Sequence, residues 1–291
     1  MPLSVFVSIA IALVGTGLAQ GQGRPKPRRL EVVGRLEHPA IREASGIVAS
    51  RRHPGIFWVH NDSANPAALF AVRRDGRLVR EYAVQIPNID WEDIAIDSDG
   101  HLYLGDIGNN DGRLPIRAIY RLDEPDPSKP ADGPLPMTLA SYYRFPRGGG
   151  GRFDAEGLFL DQGRAVVVAK TFDGREAELF AIPLDPPAPL LRPCLPEPIG
   201  TLPGLTEPAT GADLSADGRR LAVCSGSAAR VYERDRAGRW SPLSVVSYKH
   251  AADIEAICWD GPDLILAAEG RTMYRINEAA WRAAGPTPKG R

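Results

Sequence analysis

Asp90-Trp-Glu-Asp-Ile94 opens a run that turns at Asp99-Gly100 and returns as His101-Leu-Tyr-Leu-Gly105, and its pattern recurs along the 291-residue chain. The other copies read Glu43-Ala-Ser-Gly-Ile47, Asp154-Ala-Glu-Gly-Leu158, Thr210-Gly-Ala-Asp-Leu214 and Asp253-Ile-Glu-Ala-Ile257. Each copy continues in apolar alternation, usually through a turn such as Asp217-Gly218 or Asp260-Gly261, into a second apolar run. A third run carries a bulky residue between apolar neighbours, as in Ala68-Leu-Phe-Ala-Val72 and Thr272-Met-Tyr-Arg-Ile276. A fourth follows in four units, around Leu78–Ile86, Ala140–Phe145, Pro198–Leu202 and Leu243–Tyr248. Four short strands joined by tight turns and repeated radially make a propeller blade.

The fold expected is therefore an all-β, five-bladed β-propeller of four-stranded blades. The fifth unit lacks a fourth run, and Arg29–Leu36 can supply it, closing the ring between the first and last strands of the domain. Repeat starts at residues 43, 90, 154, 210 and 253 lie 47, 64, 56 and 43 apart, too uneven for a WD-type array. The excess falls in Pro-rich Asp123–Pro136 and Asp185–Pro198, read as surface loops. A sixth blade within those insertions is the architectural alternative.

Val5–Leu18 is an apolar core followed by the small residues of Gly17-Leu-Ala19, so residues 1–23 read as a secretory signal peptide. The leader carries no Lys or Arg, and an uncleaved anchor is the alternative reading. Residues 24–280 form the single propeller domain and 281–291 a flexible tail. The expected localisation is secreted or periplasmic, with no integral membrane span once the signal is removed. Lys+Arg 35 against Asp+Glu 36 leaves a net charge of -1, which argues against nucleic acid as a partner. Three cysteines, Cys194, Cys224 and Cys258, are too few and too scattered for a disulfide framework.

The chemistry sits in the first strand of each unit. Taking the Glu of Asp-Trp-Glu-Asp-Ile as reference, that position is Glu92, Glu156 and Glu255 in three units, and Ser45 and Ala212 in the others. Two residues earlier stand Glu43, Asp90, Asp154, Thr210 and Asp253. Side chains two apart on a strand share a face, and the first strand of a blade is innermost. Seven carboxylates, Glu43, Asp90, Glu92, Asp154, Glu156, Asp253 and Glu255, then converge at one mouth of the axis. A hard divalent cation relieves their repulsion, and an all-oxygen set points to calcium. Pairing with Lys170, Lys249 and arginines is the bland alternative. Loops on the same mouth supply Asn61, Asp62, Asn109, Asn110 and Lys170 as substrate-binding candidates, Thr171, Asp173 and Glu269 as further rim, and His60, His250 and Asp106 as candidate catalytic groups.

Asp154-Ala-Glu-Gly-Leu158 and Asp253-Ile-Glu-Ala-Ile257 resemble the strand motif of phytase-like, esterase-like phytase and SdiA-regulated propellers. His60-Asn-Asp-Ser63, Asp90-Trp-Glu-Asp-Ile-Ala95 and Gly105-Asp-Ile-Gly-Asn-Asn110 resemble an exported bacterial propeller family. The resemblance implies calcium-dependent phosphoester hydrolysis, while lactonase-type propellers use an axial cation on an ester carbonyl. The dense basic cluster that would grip a highly phosphorylated substrate is absent. No Gly-x-Ser-x-Gly elbow points to a serine nucleophile. Two functions compete: a metal-dependent hydrolase of phosphoesters or lactone-type esters, and a non-enzymatic envelope binding or scaffold module with a structural cation. In either case the expected partner is a small-molecule or envelope ligand at the channel mouth.

Overall fold

In the computed structural model, which describes residues 27–110, 112–145, 153–184, 192–248 and 253–286, each repeat forms one antiparallel four-stranded sheet. In chain order, β1 (Glu31–Arg35) precedes blade 1, made of β2 (Ala44–Ala49), β3 (Ile56–Asn61), β4 (Ala68–Arg73) and β5 (Leu78–Ala83). Blade 2 comprises β6 (Trp91–Ile96), β7 (His101–Asp106), β8 (Arg117–Asp123) and β9 (Thr138–Tyr143). Blade 3 comprises β10 (Ala155–Asp161), β11 (Arg164–Ala169), β12 (Glu178–Pro183) and β13 (Glu197–Thr201). Blade 4 comprises β14 (Ala209–Leu214), β15 (Arg220–Ser225), β16 (Ala228–Arg234) and β17 (Trp240–Ser247). Blade 5 takes β18 (Ile254–Asp260), β19 (Asp263–Ala268) and β20 (Thr272–Ile276), with β1 as its outer strand. The five-bladed propeller and its closure through β1 follow the expectation, and the five sheets leave no sixth blade among the described residues.

The apolar patterning explains why sheets stack radially rather than in pairs. Second strands such as β11, with Val166, Val167 and Val168 all buried, are apolar on both faces, as a strand covered on both sides must be. The core is accordingly five wedges, one between each pair of neighbouring blades. Trp58 and Leu69 of blade 1 meet Trp91 and Leu104 of blade 2, and Phe57 and Val59 meet Cys258 and Ile265 of blade 5 across the closure. The wedge between blades 4 and 5 takes a lid. Helix α1 (Glu278–Ala284), capped by Asn277, drops a fully buried Trp281 against Trp259, ring centroids 5.8 Å apart. Residues 281–284 of the expected flexible tail are thus part of the packed domain, because Trp281 has an apolar wedge to fill. The insertion 123–136 runs along blade 1, where Leu135 N donates to Ala83 O at 2.8 Å and Tyr82 donates its hydroxyl to Asp126 O.

Cys224 and Cys258 are buried free thiols. No helix among the described residues is long and apolar enough to cross a membrane. The signal stretch 1–23, His250, Lys249 and residues 287–291 of the tail lie outside the described residues. The inner strands β2, β6, β10, β14 and β18 touch one another in a ring around the axis.

Candidate metal centre

The ladder between each inner strand and its neighbour slips by one residue at the same place. The slips fall between Ala44 and Gly46, Trp91 and Asp93, Ala155 and Gly157, Ala209 and Gly211, and Ile254 and Ala256. The residues they skip are Ser45, Glu92, Glu156, Thr210 and Glu255, and all five line one cavity of about 250 Å³. A bulge leaves its extra residue unpaired and re-aims the side chain, here towards the axis. The fourth repeat is therefore Pro208-Ala-Thr-Gly-Ala212. Thr210, not Ala212, holds the reference position, a correction of two residues. In the two blades without a Glu there, a hydroxyl stitches blades together: Ser45 Oγ donates to Glu92 O, and Thr210 Oγ1 to Ile254 O, both at 2.8 Å.

The residues two positions earlier lie just before the strands begin, so the period-two rule does not bind them, and they diverge. Glu43 lines the cavity. Asp90 joins Asp62 and Glu92 in a cluster whose carboxylate oxygens lie within 4.8 Å of one another. Asp154 is buried and spends Oδ1 on Asn109 N (2.7 Å) and Ala155 N (3.0 Å). Asp253 is exposed at a φ of 35° and is not among the lining residues. The expected seven-fold ring is thus uneven.

It divides into three parts. Lys170 pairs with Glu156, lies 3.7 Å from Asp154 Oδ2 and donates to Asn110 Oδ1 at 3.2 Å, so this arc carries its own counter-charge. Glu255 shares the cavity wall with Glu269 and Glu43. The third arc, Asp62–Asp90–Glu92, forms no ion pair among the described residues. Glu92 is only 4% exposed, and its Oε1 has no hydrogen-bond partner. A Cβ at Gly108 would overlap that oxygen and crowd the Asp90 carboxyl, so the β7–β8 loop cradles the pair only because it has glycine there. Three clustered oxygen ligands, one of them buried and orphaned, fit a hard cation such as calcium.

Electrostatics agree with the geometry. Burial, then the charges of Asp62, Asp90 and Asp154, push Glu92 up to about 10, with Lys170 pulling the other way. Asp90 is raised to about 6 by burial and by Asp62, and Glu255 to about 7 by burial and by Glu269. A carboxyl raised in the folded state stabilises the fold below its unfolded value and loses that contribution as pH rises through its folded value. His60, lowered to about 4 by burial, has the opposite sign, but its contribution is complete above its unfolded value near 6.5. From about pH 6.5 to 8.5 the metal-free protein is therefore expected to lose melting temperature steadily, and saturating calcium to flatten the slope. Calorimetric melts at four pH values with chelator and with calcium check this; a slope unaffected by calcium would contradict it.

Other expected site residues are used differently. His60 is fully buried, bonded through Nδ1 to Asn61 O (3.0 Å), set edge-on to Trp91 and pressed against Gly46, which has no Cβ to clash with it. It packs between blades 1 and 2, which corrects its reading as a base at the mouth. Asn61, Asp106 and Asn109 are buried and hold backbone rather than ligand. Asn61 Oδ1 accepts from Arg42 N and Glu43 N, Asp106 Oδ1 from Asp90 N, and Asn109 Oδ1 from Leu114 N. Each secures the approach to an inner strand or the loop above it. Asp62, Asn110 and Lys170 do line the cavity, and so does Glu269; Asp173 instead closes a turn with Arg175 Nε at 2.6 Å.

Asp93 went unread in the sequence. One residue deeper than Glu92 and fully buried, it stands where the other blades have Gly46, Gly157, Gly211 and Ala256. Its Oδ2 accepts from Leu158 N of blade 3 (2.8 Å) and Ala212 N of blade 4 (3.0 Å), and Oδ1 from Ile94 N. Inner strands have a free ladder edge towards the axis, and this carboxyl satisfies two donors of that edge. A charged residue at a position otherwise Gly or Ala was the available signal. A second acidic group, Asp97–Asp99–His101, lies at the opposite mouth. There Asp97 Oδ1 is spent on Asp99 N and His101 N, and Oδ2 on the imidazole.

No family model and no curated protein matches the chain. Among solved structures it is similar to a Bacteroides thetaiotaomicron protein of unknown function, with 11% identity over 84% of this chain and 72% of that one, at a TM-score of 0.47. A chain named provisionally as a gluconolactonase gives 18%, 83%, 76% and 0.44. A catalytically inactive virginiamycin B lyase from Staphylococcus aureus, with quinupristin, gives 16%, 80%, 65% and 0.39. None reaches 25% identity or a TM-score of 0.5, so the chemistry of this chain rests on its own side chains.

Proposed function

We propose that this propeller is an exported calcium-binding protein that hydrolyses phosphoesters or lactone-type esters at its acidic mouth. The observation that carries the reading is the Asp62–Asp90–Glu92 cluster with its buried, unpartnered Glu92 oxygen. Those three residues would hold the cation, which supplies Lewis acidity towards an ester or phosphoryl oxygen. Lys170, held in place by Glu156, Asp154 and Asn110, presents a fixed positive charge to negative charge developing on a bound substrate. Glu255, raised to about 7, exchanges a proton near neutral pH and takes the acid–base role that a buried His60 cannot. The signal-like residues 1–23 support export to the periplasm or medium, and the strand motifs support kinship with phytase-like propellers.

One observation favours the competing reading of a binding or scaffold propeller with a structural cation. At about 250 Å³ the cavity is smaller than most small-molecule sites, and Lys170 fills part of it. Assays of the purified protein on phosphomonoesters and lactones, with calcium and with chelator, separate the two. The hydrolase reading expects calcium-dependent turnover lost on chelation. Chelation that lowers the melting temperature with no activity to lose would leave only the structural cation.

A further inference from the structure

The mouth that holds Asp62, Asp90 and Glu92 has an apolar rim on one side. Six large apolar side chains are more than a third exposed among the described residues. Three of them stand on loops of this mouth: Ile89 (52%) directly before Asp90, Ile116 (45%) at the end of the β7–β8 loop, and Phe172 (70%) two residues beyond Lys170. All three belong to blades 2 and 3, which also contribute Glu92, Glu156 and Lys170. The other three, Val32, Leu195 and Ile199, lie on β1 and at β13, away from the axis. Phe172 is also tied to the polar centre, since Lys170 Nζ lies 5.8 Å from its ring centroid. Large apolar side chains exposed on the loops that surround a polar cleft are a mark of ligand binding.

Charge narrows the ligand further. Among the described residues, Glu43, Asp62, Glu92, Glu156, Glu255 and Glu269 line the cavity against one cationic side chain, Lys170. One divalent cation removes only part of that negative field, so a dianionic phosphoryl head meets net repulsion where a neutral carbonyl does not.

We propose that the ligand of this mouth is a neutral ester or lactone bearing an apolar, preferably aromatic, arm: its carbonyl enters the acidic cavity beside Lys170, and the arm lies on Phe172 flanked by Ile89 and Ile116. The inference rests on the reading of the cavity as a cation centre and chooses between its two substrate classes. In hydrolysis, water adds to the acyl carbon, the acyl–oxygen bond breaks, one proton ends on the alcohol oxygen and the new carboxyl releases another. The same field that admits the neutral ester then expels the carboxylate product.

Two unreactive lactams, and phenyl phosphate with its hydrolysis monitored alongside, test this by calorimetry on the calcium-loaded protein, whose calcium binding is titrated first. N-phenylpyrrolidone is expected to bind about tenfold or more tightly than N-methylpyrrolidone, and more tightly than phenyl phosphate, which has the same arm on a dianionic head. Phe172→Ser, at an exposed position, is expected to shrink that margin to about two- or threefold while keeping calcium affinity. Equal binding of the two lactams by the wild type, a margin that survives Phe172→Ser, or a preference for phenyl phosphate overturns the proposal. Turnover of γ-phenyl-γ-butyrolactone is read separately. If the lactam margin holds and this lactone is not hydrolysed with calcium, the hydrolase reading fails and the ligand class stands.

Discussion

Glu92→Gln is expected to leave the metal-free protein at least as stable as the wild type while abolishing the rise in melting temperature that calcium produces. In the absence of a cation the Glu92 carboxyl, raised to about 10, is protonated at pH 7, and an amide is close to its isostere. The substitution removes a group that repels Asp62 and Asp90 whenever it ionises. The bound state is different, because a coordinating carboxylate brings a negative charge that a neutral amide oxygen does not. Calcium at a hundred times its dissociation constant stabilises by about 2.7 kcal/mol, which for a domain of this size is about 5–10 °C. The variant is expected to lose on the order of 100-fold in calcium affinity, and with it nearly all of that rise. Scanning calorimetry and isothermal titration measure the two effects independently. A variant that melts well below the metal-free wild type would mean that Glu92 serves the fold rather than a cation.

Asp93→Ala is expected to give the opposite signature: a large loss of stability without the selective loss of calcium response. Removing the carboxyl strands the amides of Leu158, Ala212 and Ile94, three buried donors on three different blades. At about 1–3 kcal/mol for each orphaned group, softened by water entering the space, the cost is about 3–5 kcal/mol. The melting temperature should fall by about 10 °C or more, and urea denaturation should register the same loss. Asp93→Asn keeps one acceptor oxygen for the cross-axis amides and is expected to cost about half as much. Melting of Asp93→Ala within a couple of degrees of the wild type would show that the three amides find other partners.

Much of the fold was legible because its determinants are local. Alternation in His101–Gly105 or Ala165–Ala169, the Asp-Gly turns and the recurring aromatic of the third strand each act within a few residues, and their repetition gives the blade. The fifth blade could be assigned because Thr272–Ile276 has no successor while Glu31–Arg35 has no predecessor. The candidate site was legible in composition and not in detail. The slip that exposes Glu92 to the axis is a property of hydrogen-bond register between two strands. In blade 4 the chemistry of Thr210-Gly-Ala-Asp imitates the motif two residues out of phase, so no reading of residue types alone separates them. His60 looks like a mouth residue because Asn61 and Asp62 follow it, yet its burial depends on Gly46, fourteen residues earlier, offering no side chain. The division of the carboxylates by Lys170 is likewise spatial: nothing in the linear order says which acidic groups one lysine will reach.

The pairing of β1 with β20 sets an order of events for the folding chain. Glu31 aligns with Arg275 and Arg35 with Thr272, so the first of the described strands to be synthesised waits for the last before it has a sheet partner. Until then four blades can assemble on local contacts, but the two flanks of the unfinished circle, blade 1 and blade 4, present bare apolar faces: Phe57 and Val59 on one, Val231 and Val246 on the other. The final step bridges well over two hundred residues, the kind of long-range contact that slows folding. A nascent or truncated chain lacking residues 253–286 is thus a sticky arc rather than a smaller propeller. Completion of the ring is what turns five marginal sheets into a single unit.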